Sequence, residues 1–342
     1  MALVVLRASR WLWAQWWLVT LLWYACSVWV VVTVKHQKHK GLLTAFGNGF
    51  VGTALVLPLV YREGFGVMRS CWRVLCLIGL AAGLERNLTN SSMYSIGGAL
   101  KTALHGVNVI STFVVAGLAG VDRRAQSCLL SCRCRENLVM LPVVALVACG
   151  GLVTALCGDE ANWHGSAVGV GLQLASSLAY GLKYTLMKGA LSDGADRAAA
   201  RDACVPERPS KMQVALVAQP ITGFIGLCTV PIFEKNWGLP PLDVVVYFGM
   251  AVTGILVFEL RLVELTSPLT VAMLAALHNV VIVLFFIVRD GEAFDVAQFA
   301  GFAVSSAGVA WYAYLKHAQS RTVVTADEDL NHLRARQVLR DV

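Results

Sequence analysis

Ionisable side chains stand inside segments that are otherwise apolar enough to cross a bilayer. They are Glu85, Arg86, Lys101, Lys183, Glu259, Arg261 and His278. An ammonium group in hydrocarbon costs on the order of 3 kcal/mol, so a chain keeps one at membrane depth where it faces a wet cavity or a partner. Such groups bind ionic solutes, relay protons or control the opening of a pathway, and we take them as the candidate functional residues.

Lys101 is the most unusual of these residues because it lies near the middle of the long apolar run from Asn87 to Gly120. A second run, from Leu265 to Arg289, aligns with the first over several identical residues, and the alignment places His278 on Lys101. Coincident polar groups at one depth are typical of an internally duplicated carrier with a site at its midplane. A neutral histidine is much cheaper to bury than a lysine, so this pairing is what makes His278 a candidate.

The composition excludes an ordinary soluble protein. Of 342 residues, 57% are hydrophobic and 14% are charged, whereas charged residues make up about a quarter of a soluble domain. Since a helical crossing needs about 20 apolar residues, the sequence predicts an all-α polytopic membrane protein with about ten transmembrane helices. The net charge of +7 is then a signal of topology in the bilayer, and we expect no nucleic-acid partner.

The predicted spans divide into two halves, residues 1–160 and 161–318. Each half has an odd number of spans, about five, so the halves would have opposite orientations and form two inverted five-helix repeats. The basic linker 191–211 and the charged tail 319–342 are predicted to be cytosolic, and both termini with them.

One basic loop, Lys35–Lys40, falls on the non-cytosolic side of this topology. Either the other loops outweigh it, because the positive-inside rule is a bias, or Lys35 attracts an anion to a cavity mouth. The same side carries the sequons Asn87-Leu-Thr and Asn90-Ser-Ser, which we expect to stay unglycosylated because they abut the membrane.

Spans three (73–87) and eight (242–261) are repeat partners, and each carries a glutamate and an arginine near its end. This repetition makes them candidates for coupling or gating: Glu85, Arg86, Glu259 and Arg261. A structural interpretation stays open, in which these residues and Glu264 extend to the membrane interface or neutralise one another as ion pairs.

Three segments carry a resemblance to a known family. They are NLTNSSMYSIGGALKTALHGVNV, LQLASSLAYGLKYTLMKGAL and SPLTVAMLAALHNVVIVLFFIVRDGEAFDVAQFAGFAVSSAGVAWYAYLKH. Together they resemble the drug/metabolite transporter superfamily, in its triose-phosphate translocator and nucleotide-sugar transporter branch. Lys101 matches the lysine of the family's fourth span, and Lys183 with Tyr184 match a basic residue and an aromatic residue of the sixth. Translocators of phosphorylated sugars usually carry Lys-Arg where this chain has His278-Asn279.

The resemblance implies a secondary transporter, an antiporter that moves a nucleotide sugar or sugar phosphate across a Golgi or endoplasmic reticulum membrane by alternating access. Lys101 and Lys183 would neutralise the phosphate of this small anionic metabolite. Tyr184, His278 and Asn279 would complete the substrate site as hydrogen-bonding groups. The resemblance implies no cofactor and no metal, and it leaves a homodimer open.

Two other functions remain compatible with the residues. A carrier of an uncharged or zwitterionic solute would couple to protons through Glu85 or His278. A non-transporting membrane scaffold would not explain matched polar residues in both halves. A multipass enzyme is disfavoured, because the sequence contains no HExxH, GxSxG or comparable motif.

Overall fold

The structure is a computed structural model that describes residues 2–96, 104, 106–121, 140–156, 167–191, 208–234, 238–290, 295–297 and 299–315. The described residues are helical and contain no strand, which confirms the predicted all-α class. Lys101, the cysteines of segment 122–139, residues 192–207 of the linker and tail 319–342 lie outside the described residues.

The helices are α1 (Ala2–His36), α2 (Lys40–Glu63), α3 (Gly66–Ser92), α4 (Val107–Leu118), α5 (Met140–Leu156), α6 (Ala167–Leu191), α7 (Lys211–Phe233), α8 (Leu242–Leu265), α9 (Pro268–Asp290) and α10 (Phe299–Leu315). Local sequence sets several of their ends. Gly64 ends α2 with a φ of 87°, a left-handed conformation that glycine adopts without strain. A capping box of Ser210 and Gln213 starts α7, and Pro268 occupies the first position of α9.

Five helices in the described part of the chain are long and apolar enough to cross a membrane: α1 over Trp17–Val34, α2, α3, α7 and α8. Large apolar side chains point outward from them, among them Trp17, Phe50, Phe224 and Ile232. A continuous apolar exterior suits a hydrocarbon solvent, and the helices therefore fit an integral membrane protein.

Helices from the two ends of the chain pack against each other. In the centre of the protein, α3 packs along α6 and α7, α1 packs along α8, and α2 crosses both α7 and α8. The helix α4 lies against α6 and α9. The first and second halves are therefore interleaved, and the cavity described below lies between helices of both.

The middle of α2 is a π-helical segment, Ala45–Gly52, where backbones approach closely. A methyl group on Gly223 of α7 would lie 2.6 Å from Cα of Gly49, and one on Gly47 would lie 2.4 Å from the Phe248 ring of α8. Small residues therefore permit the crossing of α2 with α7 and α8, which is how helices pack in a membrane.

The polar stretch Asn87–Ser92 differs from the sequence prediction. We treated it as the beginning of the apolar run that leads into span four, but it forms the last turns of α3. Its side chains are buried in helix contacts, since Ser92 Oγ donates to Gln173 Oε1 (3.0 Å) and the Thr89 hydroxyl lies 2.5 Å from Ser176 Oγ on α6. Hydrogen bonds to α6 thus stabilise a polar helix end that hydropathy alone assigns to a loop.

Candidate functional site

A central cavity of about 120 Å³ lies between α1, α3, α6, α8 and α9. Six of the residues predicted from the sequence line it: Glu85, Arg86, Tyr184, Glu259, His278 and Asn279. These residues come from both halves of the chain, and packing of α3, α6, α8 and α9 brings them together. The volume is several times the space that one water molecule needs, so the cavity can hold a small polar solute.

Lys183 lies directly behind the cavity wall, where it connects two of the lining carboxylates. Its Nζ donates to Glu85 Oε2 of α3 and to Glu259 Oε2 of α8, at 3.1 Å in each case. The lysine is 2% exposed, and both carboxylate side chains are largely buried. Two carboxylates compensate the buried ammonium, which would otherwise be very unfavourable at this depth. We call these three residues the charge triad.

Tyrosine rings complete the surroundings of the Lys183 ammonium. Its Nζ lies 4.4 Å from the ring centroid of Tyr184 and 5.2 Å from that of Tyr180, distances at which a cation is attracted to the face of a ring. Tyr180 and Tyr184 are one helical turn apart on α6 and contact each other edge to face. The same rings line the cavity, so they separate it from the lysine.

Arg86 contributes a second positive charge to the cavity wall. Its Nη1 donates to Asn48 Oδ1 of the π-helical segment at 3.4 Å, a long and therefore weak hydrogen bond. A guanidinium has five N–H donors, so, as far as the described helices are concerned, most of its hydrogen-bonding capacity stays available to a solute in the cavity. In their ordinary ionised forms, Arg86 and the charge triad together carry no net charge.

His278 lies in an aromatic environment built by α1. Its ring is stacked on Trp23 at a centroid distance of 5.9 Å and lies 4.8 Å from the Tyr24 ring. The Tyr24 hydroxyl donates to the carbonyl of Leu274 at 2.7 Å, which holds α1 against α9. The imidazole is 4% exposed and borders the cavity without an acidic partner among its described contacts.

Four buried polar atoms on cavity-lining residues have no hydrogen-bond partner in the described part of the chain. They are Trp23 Nε1, the hydroxyls of Tyr180 and Tyr184, and His278 Nε2. Buried polar groups in native proteins are nearly always satisfied, so unpaired groups around one cavity indicate an occupant that can donate and accept hydrogen bonds. Water or a polar solute meets that requirement.

Arg261 lies apart from this cavity. Its Nη1 binds Glu264 Oε2, and the same oxygen binds Lys211 Nζ at 3.0 Å at the start of α7. This group, whose side chains are about one-third exposed, joins the ends of α7 and α8, as the structural interpretation of the helix-end charges predicts. Glu85 and Glu259 do not follow this interpretation, because each forms an ion pair with Lys183 in the interior of the protein.

A second polar cluster lies at the opposite ends of the helices, and the sequence indicated only its basic loop, Lys35–Lys40. Glu234, which follows α7, accepts hydrogen bonds from the backbone N–H of Gly41 (2.5 Å) and the hydroxyl of Tyr94 (3.2 Å). His39 Nδ1 lies 3.7 Å from Glu234 Oε2, and Lys40 Nζ lies 4.1 Å from the centroid of the Tyr94 ring. The carboxylate thus caps the N-terminus of α2, where the helix dipole favours negative charge.

Sequence reasoning therefore found the charged residues of the cavity and Tyr184, and it missed three aromatic residues in or next to the cavity wall. Trp23, Tyr24 and Tyr180 were not predicted, although the spacing of Tyr180 and Tyr184 on either side of Lys183 offered a signal. Asn48 could not be identified from the sequence, because a single asparagine in an apolar helix indicates a site only once its contact with Arg86 is known. The predicted pairing of Lys101 with His278 stays a prediction, since Lys101 is not described.

No family model and no curated protein matches this sequence. Among solved structures, 27 chains match. One crystal structure with 14% sequence identity superposes on 90% of this chain and on 96% of its own length, with a TM-score of 0.58. At this identity the match shows that the fold occurs elsewhere, and it says nothing about the activity.

Proposed function

We propose that this protein is a secondary transporter that carries a small polar solute through the central cavity by alternating access. The observation that carries the proposal is the charge triad, an ionic group at membrane depth that borders a cavity lined by both halves of the chain. Ionisable residues in such positions mark substrate or ion pathways more often than structural sites.

The packing of the helices supports the inverted repeat that alternating access uses. In two five-span repeats, α1 would correspond to α6, and α3 would correspond to α8. The repeat symmetry would then require that, if α1 contacts α8, α6 contacts α3. Both pairs of helices are in contact. The repeat partners α3 and α8 also each contribute one glutamate to the charge triad, and Lys183 Nζ lies 3.1 Å from Oε2 of both. These relationships are typical of a transporter built from inverted repeats.

The charge balance of the cavity favours the proton-coupled carrier of an uncharged or zwitterionic solute. Glu85 and Glu259 already compensate Lys183, so this lysine is not a free cation for a phosphate. A solute with net charge would leave that charge uncompensated in a low-dielectric site, whereas a solute without net charge would not. The volume of about 120 Å³ is also well below the roughly 300 Å³ at which sites for drug-sized ligands begin.

An anionic metabolite remains the second candidate, because donors that suit it line the cavity. Arg86 offers its guanidinium, and His278 and Asn279 offer ring and amide N–H groups. Lys101, if it faces the same cavity, would add the cation that a nucleotide sugar or sugar phosphate requires. The endomembrane location and an exchange mechanism are proposals that go with this candidate.

Exchange in proteoliposomes tests the proposal. Purified protein would be reconstituted and loaded with unlabelled solute, and uptake of labelled solute would be followed for amino acids, sugars, sugar phosphates and nucleotide sugars. We expect accelerated exchange of at least one class and, for a proton-coupled carrier, accumulation driven by a pH gradient. Tyr184→Phe removes a hydroxyl at the cavity and should alter the KM for that solute, whereas Arg261→Gln, outside the cavity, should not. Absence of exchange for every class would contradict the proposal.

A further inference from the structure

We infer that the substrate is a small zwitterion with a primary amine, whose ammonium group binds between Glu85 and Glu259 and whose acidic group binds Arg86. This inference rests on the proposed transport function and specifies the substrate of its cavity. The charges, hydrogen bonds and aromatic faces on the cavity wall carry it.

The ammonium end is assigned from the two carboxylates. Each uses its Oε2 for Lys183, and both side chains line the cavity. Two negative charges face one buried positive charge there, so this part of the wall is locally negative. A primary ammonium has three donors and can bind both carboxylates at once.

The aromatic residues of the wall also suit an ammonium group. Tyr180 and Tyr184 already flank the Lys183 ammonium at cation–π distances, and Trp23 lies on the α1 side of the same cavity. The structure thus shows two carboxylates and two rings that surround one ammonium group, that of Lys183. We expect the ammonium group of the substrate to bind the same two carboxylates and two rings from the cavity side.

The acidic end is assigned from Arg86. Arg86 lines the cavity, its guanidinium makes one long hydrogen bond within the described part of the chain, to Asn48, and a carboxylate can take two parallel N–H bonds from such a group. Asn279 also lines the cavity and supplies a further amide donor. With the two ends assigned, a zwitterion satisfies both charged regions and adds no net charge to the site.

The size of the cavity restricts the zwitterion to a short one. A volume of about 120 Å³ accommodates an α-amino acid with few side-chain atoms and excludes a nucleotide in this conformation. Glycine, alanine and serine are therefore the probes of choice. Lactate and lactamide keep the size of alanine and present an anion and an uncharged solute. Ethylamine, which is alanine without its carboxylate, presents a cation.

Exchange of these probes in proteoliposomes is the test. We expect alanine exchange to exceed that of ethylamine, lactate and lactamide by at least tenfold. Glu259→Gln should shift the preference toward lactate, because it makes the site net positive. Arg86→Gln should shift it toward ethylamine, because it makes the site net negative. These opposite shifts would not follow from a purely structural role, and Arg261→Gln should leave the preference unchanged.

The outcomes separate this inference from the proposed function. If lactate, lactamide, sugar phosphates or nucleotide sugars exchange and the three amino acids do not, the inference is wrong and the transport function stands. If no solute exchanges, both are wrong. If the Gln variants do not fold, the wild-type protein still tests the inference: a preference for alanine over ethylamine, lactate and lactamide supports it, and the lack of that preference contradicts it.

Discussion

Lys183 Nζ and Glu259 Oε2 lie 3.1 Å apart inside the protein, although 76 residues separate the two in the chain. The same ammonium binds Glu85, so one side chain of α6 connects α3 and α8. An ion pair in a low-dielectric interior is costly to break, because the partner left behind keeps its charge without compensation. We therefore expect the charge triad to stabilise the packing of α3, α6 and α8, in addition to its role in the proposed transport.

Replacement of Lys183 is expected to destabilise the protein strongly. Lys183→Met leaves two buried carboxylates unpaired, and we expect a loss of about 3–5 kcal/mol in the free energy of unfolding. Denaturant unfolding in detergent micelles measures this loss. The combination Lys183→Met with Glu85→Gln and Glu259→Gln should recover part of it, since both carboxylates are then neutral and the Arg86 charge alone remains without compensation.

Lys211 provides the matched control. Its Nζ lies 3.0 Å from Glu264 Oε2, but both side chains are about one-third exposed, and such pairs contribute about 1 kcal/mol at most. Lys211→Met should therefore have a small effect. Equal losses for Lys183→Met and Lys211→Met would mean that the charge triad is solvated and not a buried ionic group.

The crossing of α2 and α7 should not tolerate a methyl group at Gly223. A Cβ there would lie 2.6 Å from backbone atoms of Gly49, and backbone cannot move aside as a side chain can. We expect Gly223→Ala to cost about 1–3 kcal/mol, as overpacking does. Gly171→Ala on α6 is the control, because nothing lies within 4 Å of its Cβ position and alanine favours the helix. Thermal unfolding should show Tm changes of opposite sign.

Lys188 should stabilise the end of α8. Its Nζ donates to the carbonyl oxygens of Val263 (3.1 Å), Glu264 (3.2 Å) and Thr266 (2.7 Å) at the C-terminus of α8, where the last carbonyls of a helix have no intrahelical partner. Lys188→Met should cost about 1–3 kcal/mol and weaken amide protection in the last turn of α8. Hydrogen exchange measures this effect, and amides at the start of α8 serve as the internal control. Unchanged protection in the last turn would show that solvent satisfies these carbonyls.

The two sequons should carry no glycan. Asn87 Nδ2 donates to the carbonyl oxygens of Gly83 (2.9 Å) and Thr222 (3.1 Å), and Asn90 Nδ2 donates to Thr44 Oγ1 (3.3 Å), so both amides are buried between helices. Electrophoretic mobility after expression in a glycosylating host should not change on endoglycosidase treatment. Asn87→Ala should instead lower the Tm, because it breaks the bond between α3 and α7. A glycan on either residue would show that this end of α3 lies elsewhere.

Both termini are expected on the cytosolic side. Epitope tags at the two ends, in sealed vesicles with the cytosolic face outward, should both be cleaved by added protease without detergent. A lumenal soluble protein, protected until detergent is added, is the control. Protection of one tag alone would require an odd number of spans and would contradict the inverted repeat.

The sequence alone determined the class of protein and the identity of its unusual residues. Apolar segments with few charges can satisfy their backbone only as helices in a bilayer, so hydropathy predicts the all-α class confirmed in the described residues. A charge inside such a segment is expensive wherever the segment packs, so Glu85, Lys183 and Glu259 were identified without a structure. The assignment of Lys101 to the cavity remains a prediction from sequence.

Only the tertiary structure decided how these residues are paired. Glu85, Glu259 and Arg261 all lie near the ends of predicted spans, and hydropathy gives no means of telling them apart. Packing of α6 between α3 and α8 puts Lys183 against the two glutamates and leaves Arg261 with Glu264. Likewise, the contact of α1 with α9 brings Trp23 and Tyr24 to His278. Contacts between helices depend on the shapes of several surfaces at once, and the pattern along any one segment does not contain that information.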